Sequence, residues 1–121
     1  MALANEDAAD VVIVGAGPCG LAAAVSLRAA GFDAIVVDGG AVTSTITAYP
    51  TYVKFFSTAE KLSIGGLPFV IGDDKPGRRD ALAYYRAVVT YFGIPVRQFE
   101  RVTSVTGAEG QFVVRTQRRG G

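Results

Sequence analysis

The sequence predicts an α/β fold in which a parallel sheet is wound with helices and followed by a β-hairpin, and three patterns carry that expectation. Two short runs, Val11–Val14 and Ala34–Val37, are almost wholly β-branched, as strands buried on both faces require. Apolar residues at helical spacing fill the segment between these runs and recur after residue 80. Glycine clusters where one segment stops and the next begins.

Each element follows in order. After the first strand, Leu, Ala and Arg favour a helix over residues 18–30, with Pro18 tolerated in its first turn and Gly31 available as a left-handed cap. Strand, glycine turn, apolar helix and second strand within about 30 residues make a right-handed βαβ unit whose helix lies flat on the sheet. Ser57-Thr58-Ala59-Glu60 has the spacing of a capping box, so a short helix is expected over 58–64, stopped by Gly65-Gly66. Residues 72–79, "GDDKPGRR", read as a turn-rich exposed loop. From Asp80 onward, Ala81, Leu82, Tyr85, Val88, Val89 and Phe92 mark one face of an amphipathic helix that Gly93 and Pro95 end. Residues 95–98 are then a third parallel strand. Two alternating runs, 101–106 and 111–116, joined by "GAEG", form the hairpin, and the closing "TQRRGG" reads as a fraying terminus.

Composition narrows the function classes. The chain has 121 residues, half of them hydrophobic, which is enough for one domain with a real core. With 12 Lys and Arg against 11 Asp and Glu, no broad attraction to nucleic acid or an anionic membrane is expected. The single Cys19 excludes an intrachain disulfide, and the absence of His removes the commonest metal ligand and the usual general base. No metal site is expected. The opening "MALANEDAA" lacks a basic region and an apolar core, and no apolar run approaches the roughly 20 residues of a membrane span, so a cytoplasmic location is expected. Residues 1–9 read as a flexible terminus and residues 10–121 as the folded unit.

Gly15-x-Gly17-x-x-Gly20 carries the chemistry. It follows a predicted strand and opens a predicted helix, the context that lends this pattern its meaning. Gly15 permits the tight turn, Gly17 lets the backbone approach a pyrophosphate, and Gly20 lets the helix pack closely on the strand. The first-turn N–H groups and the positive end of the helix dipole then face the phosphates. Asp38 ends the second strand, where a carboxylate accepts hydrogen bonds from ribose hydroxyls. The bland alternative is a glycine turn that only joins strand to helix. The residues alone leave FAD and NAD both open.

Pro18 inside the loop, Ala24, Gly31 and the pair Gly39-Gly40 give "GAGPCG…A…G…DGG", which resembles the flavoprotein form of the motif. The similarity sharpens in Tyr49-Pro50-Thr51, Phe55-Phe56-Ser57, Lys61-Leu62-Ser63-Ile64-Gly65, Pro68-Phe69, Lys75-Pro76 and residues 81–89. This block resembles the bacillithiol disulfide reductase-like flavoproteins of the thioredoxin reductase superfamily, over residues 10–106. The resemblance implies a Rossmann-like fold holding FAD, with Gly15, Gly17, Pro18, Cys19, Gly20, Asp38 and Gly39 around the adenosine and pyrophosphate, and Thr45, Tyr49, Thr51 and Val102 as further cofactor contacts. It implies hydride transfer from NADPH or NADH to the flavin and on to a disulfide or another acceptor, with a small-molecule or disulfide substrate and a homo-oligomeric assembly. The closing strand with its "ATG" turn and the second glycine-rich fold for NADPH are not found in these residues, so an incomplete FAD-binding portion is expected. Asp38 stands where the family usually has Glu.

Other residues have two readings. Cys19, at a helix N-terminus, is a redox candidate by location, yet without a second cysteine it reads first as a small residue beside the pyrophosphate. Tyr49 suits a flavin edge or the core; Phe55 and Phe56 suit the core. Lys75, Arg78 and Arg79 could meet a 2′-phosphate or an anionic thiol, but beside Asp73 and Asp74 they read as a solvated loop. A small NAD-binding module, and a non-catalytic folded domain or partner-binding fragment, are the rival functions.

Overall fold

The first two β-branched runs do pair in parallel, Val11 with Ala34 through Val14 with Val37, in a computed structural model that describes residues 8–50, 52–55, 57–72 and 75–119. The elements run β1 (Val11–Val14), α1 (Pro18–Ala29), β2 (Ala34–Val37), α2 (Ser44–Thr47), α3 (Ala59–Leu62), α4 (Arg78–Phe92), β3 (Val96–Arg97), β4 (Glu100–Thr106) and β5 (Val113–Arg118). β3 joins parallel to β2, giving a sheet of order β1-β2-β3, and β4 and β5 form a separate antiparallel ribbon.

Helix α1 ends as its sequence predicts. The Gly31 amide donates to the Arg28 carbonyl and the Phe32 amide to the Leu27 carbonyl, a Schellman closure that places Gly31 at φ +92°. Leu21, Ala24 and Val25 carry its buried stripe onto the sheet. Helix α4 buries Ala81, Leu82, Tyr84, Tyr85 and Val88. The inner faces of α1 and α4 meet Val36, Val42, Ile46, Ile64, Phe69 and Ile94 in one core. Tyr84, which the helical pattern did not select, lies parallel to Phe69 with ring centroids 4.2 Å apart. Its hydroxyl accepts from the Ile64 amide at 2.7 Å and donates to the Leu67 carbonyl at 2.7 Å, which fixes the turn after α3.

Several expectations require correction. β1 is not buried on both faces, since Val14 is 62% exposed; β1 pairs only with β2 and leaves an open edge among the described residues. α3 is shorter than 58–64. Thr58 caps it by accepting from the Lys61 amide, and with Lys at the third helical position no reciprocal capping box forms. The stretch 72–79 is not wholly an exposed loop: Pro76 is buried, Gly77 bridges to Lys54, and Arg78 begins α4. β5 runs beyond residue 116, so Thr116, Gln117 and Arg118 are strand rather than frayed terminus, and the Arg119 amide donates to the Phe99 carbonyl at 2.8 Å. α2 was not expected from its sequence. The expected flexible terminus, residues 1–9, lies outside the described residues except for positions 8 and 9, as do Phe56, Asp73 and Asp74.

Candidate functional site

The turn after β1 has the conformation its glycines predict. Gly15 sits at φ +112°, where a side chain would be strained, and its amide donates to the Val37 carbonyl at 2.8 Å. A Cβ on Gly20 would strike the Gly15 carbonyl oxygen, so the third glycine is what lets α1 start directly against the loop. A Cβ on Gly17 would meet nothing within 4 Å. The loop backbone is therefore bare on the side from which a ligand would approach. Pro18 occupies the first helical position, where no amide is lost to the ladder. Cys19 follows it, exposed, at the mouth of the same turn.

Asp38 is the junction of the site. Its Oδ2 accepts from the Ala16 amide at 2.7 Å and its Oδ1 from the Gly40 amide at 2.7 Å. Its own amide donates to the Arg97 carbonyl at 3.0 Å, and its carbonyl accepts from the Glu100 amide at 2.8 Å. One residue thus ties the glycine loop, the end of β3 and the start of β4 together. Beside it lies a cleft of about 250 Å³ lined by Val14, Gly15, Val37, Asp38 and Gly39 on one side and Glu100, Arg101 and Val102 on the other. The cleft opens beyond the carboxyl ends of the parallel strands, where open α/β sheets bind their ligands. Of the sequence-selected residues it gathers Gly15, Asp38, Gly39 and Val102, next to the loop that carries Gly17, Pro18, Cys19 and Gly20.

Thr45 and Tyr49 do not line this cleft. They stand exposed on and after α2, Tyr49 with its ring 6.1 Å from that of Phe55. α2 is nevertheless tied to the loop, because the Thr43 amide donates to the Ala16 carbonyl at 2.9 Å. Thr51 lies outside the described residues. Of the basic cluster, Arg78 is structural: its Nε and Nη2 donate to the Thr47 carbonyl at 3.2 and 2.9 Å, tying the start of α4 to the end of α2.

Sequence reasoning missed Glu100, which is 2% exposed in the wall of the cleft. It accepts from Thr116, from Arg118 Nε at 3.2 Å and from Arg97 Nε at 3.1 Å. Burial alone would raise its carboxyl pKa, but the hydrogen bonds from Thr116 and Arg118 and the charge of Arg97 outweigh it and hold the carboxyl below its ordinary value. The available signal was a Glu just before the predicted strand 101–106 with Arg97 and Arg101 on either side, which a pattern of alternation alone does not single out, and its other partner, Arg118, lay in the expected fraying end. Tyr85 is also fully buried, and its hydroxyl has no hydrogen-bond partner among the described residues. Desolvation, followed by Tyr84 and Cys19, pushes its phenol up to about 12, so it stays neutral under ordinary conditions.

A parallel βαβ unit, a glycine turn opening a helix and an acidic residue ending the second strand define a dinucleotide-binding α/β fold. A profile of the pyridine nucleotide-disulphide oxidoreductases matches residues 12–120, and the chain belongs to that family. It is 50% identical over 78 residues to bacilliredoxin reductase Bdr of Bacillus subtilis, an alignment covering 64% of this chain and 24% of that protein. Among solved structures it is similar to the bacillithiol disulfide reductase of Bacillus cereus, with a TM-score of 0.89 and 45% identity over 93% of this chain. The Staphylococcus aureus enzyme gives a TM-score of 0.86 and 40% identity over 92% of this chain. The chain spans only 35% and 34% of those two proteins.

Proposed function

We propose that residues 10–121 are a partial FAD-binding domain of a flavin-dependent disulfide reductase. The observation that carries this reading is the bare Gly17 backbone beside the α1 N-terminus, with Asp38 in the adjoining cleft. The open face at Gly17 and the N-terminal end of α1 suit a pyrophosphate, and the cleft walled by Gly39 and Val102 suits an adenosine, so the residues fit the cofactor. FAD would supply two-electron redox chemistry, accepting hydride from NADPH or NADH and passing electrons to a disulfide. This chain's part is to hold it: Gly15, Gly17, Pro18, Cys19 and Gly20 at the pyrophosphate, Asp38, Gly39 and Val102 at the adenosine, and Thr45, Tyr49 and Thr51 toward the ring.

Cys19 is read as a small residue beside the pyrophosphate, since among the described residues it has no sulfur partner. The names of the relatives support a small-molecule disulfide, of the bacillithiol type, as the acceptor of the whole reductase. Among the described residues no helix is long and apolar enough to cross a membrane. A cytoplasmic, homo-oligomeric enzyme is proposed. The test is flavin absorbance of the purified reductase-length protein, followed by titration with FAD and with NAD. Copurifying flavin is expected; tight NAD binding without FAD binding would overturn the assignment.

A further inference from the structure

We infer that Asp38 is a positioning residue that holds the phosphate loop in its binding shape before any nucleotide arrives. A carboxylate at the end of β2 has the ribose as its expected partner, yet in the free chain each of its oxygens already accepts a short backbone bond, Oδ2 from Ala16 and Oδ1 from Gly40, both at 2.7 Å. Neither amide has a backbone acceptor among the described residues, so without Asp38 the loop residue between Gly15 and Gly17 and the turn residue before α2 would each carry an unmet donor. Ala16 is fully buried, where an unmet donor is most unfavourable. The Ala16 carbonyl in turn accepts the Thr43 amide at 2.9 Å, so the clamp also fixes where α2 leaves the loop.

Side-chain length matters to this arrangement. Asp38 is itself anchored by its main chain to Arg97 and Glu100, and from that anchor its short side chain reaches both amides. A glutamate's extra methylene would carry the carboxylate past the Ala16 amide and into the cleft. Each oxygen of Asp38 retains a lone pair, so ribose hydroxyls can add to the clamp without breaking it. Preorganising the loop removes an ordering cost from nucleotide binding. That last consequence rests on the FAD reading above; the clamp itself does not.

Amide hydrogen exchange, read by NMR on the nucleotide-free 121-residue chain, tests it. In the native sequence the Ala16 and Gly40 amides are expected to exchange at least tenfold slower than their intrinsic rates. In Asp38→Ala, which leaves no side-chain acceptor, both are expected to accelerate at least tenfold, as is the Ala16 amide in Asp38→Glu, while the Val36 and Phe32 amides keep their rates. Unprotected Ala16 and Gly40 amides in the native chain would overturn the clamp whether or not any variant folds. So would unchanged rates in the variants, or acceleration of all amides together, which is the mark of a general stability role. A residue that only touched ribose would leave exchange in the free chain unaltered. A native chain that shows the protection but never binds FAD would refute the cofactor reading and leave the clamp standing.

Discussion

A methyl group added at Gly17 and one added at Gly20 meet different surroundings, and the contrast separates an open position from a packing residue in the same six-residue motif. At Gly20 the new carbon collides with the Gly15 carbonyl, so Gly20→Ala forces α1 away from β1 and is expected to lower stability by about 1–3 kcal/mol. At Gly17 it enters open space at φ −83° and ψ −176°, a conformation any residue adopts. Gly17→Val is therefore expected to keep the native melting temperature within a few degrees while removing FAD from the reductase-length protein, because the branched side chain fills the space of the pyrophosphate. Thermal unfolding together with bound-flavin absorbance checks both; a Gly17→Val protein with native flavin content would refute the phosphate-loop assignment. The turn at Gly15 and the close packing at Gly20 were legible in the motif because backbone geometry dictates them. The Asp38 contacts were not legible, since nothing in a sequence tells a carboxylate that faces a ligand from one that also holds an amide 22 residues away.

Among the elements, the strands and long helices follow from periodicity, whereas α2 does not. Its four residues, Ser44, Thr45, Ile46 and Thr47, are indifferent helix formers, and its N-cap Thr43 takes a left-handed φ of 54° that a β-branched residue adopts only under constraint. Tertiary ties impose it: Thr43 to Ala16, the buried Ile46 and the Arg78 guanidinium on the Thr47 carbonyl. The end of β5 was misread for a related reason. Basic and glycine residues suggested fraying, but Thr116 and Arg118 reach back to Glu100 across the ribbon. This network gives a pH signature. Because the folded carboxyl of Glu100 lies below its ordinary value of 4.5, its stabilisation is fully present above that value and is lost as pH falls through the lower folded value. Glu100→Gln is expected to cost about 1–2 kcal/mol near neutral pH, discounted for the 64% exposed Arg118 side chain, and the gap to the native protein should close below pH 4.5. Thermal melts of both proteins across pH check this; a gap that stayed constant in acid would refute the ion-pair account.

For the whole molecule, the α/β class, the order of the principal elements and the parallel pairing were legible because β-branched runs, helical spacing and glycine punctuation agree with one another. What the sequence could not order was the approach of β4 to the ends of β1 and β2, which depends on the main-chain bonds of Asp38 and on Phe99 at φ 56°. That approach builds the cleft in which, on the proposed function, the glycine loop and the β4 wall together hold the adenosine and pyrophosphate of FAD. The most direct measurement is the NMR spectrum of the isotope-labelled 121-residue chain with FAD added in large excess, since this chain alone is expected to bind weakly. Shifts confined to the amides of Gly15, Gly17, Gly20, Asp38, Gly39 and Val102 are the expected result. A spectrum that does not respond to FAD, or that responds to NAD alone, would contradict the claim.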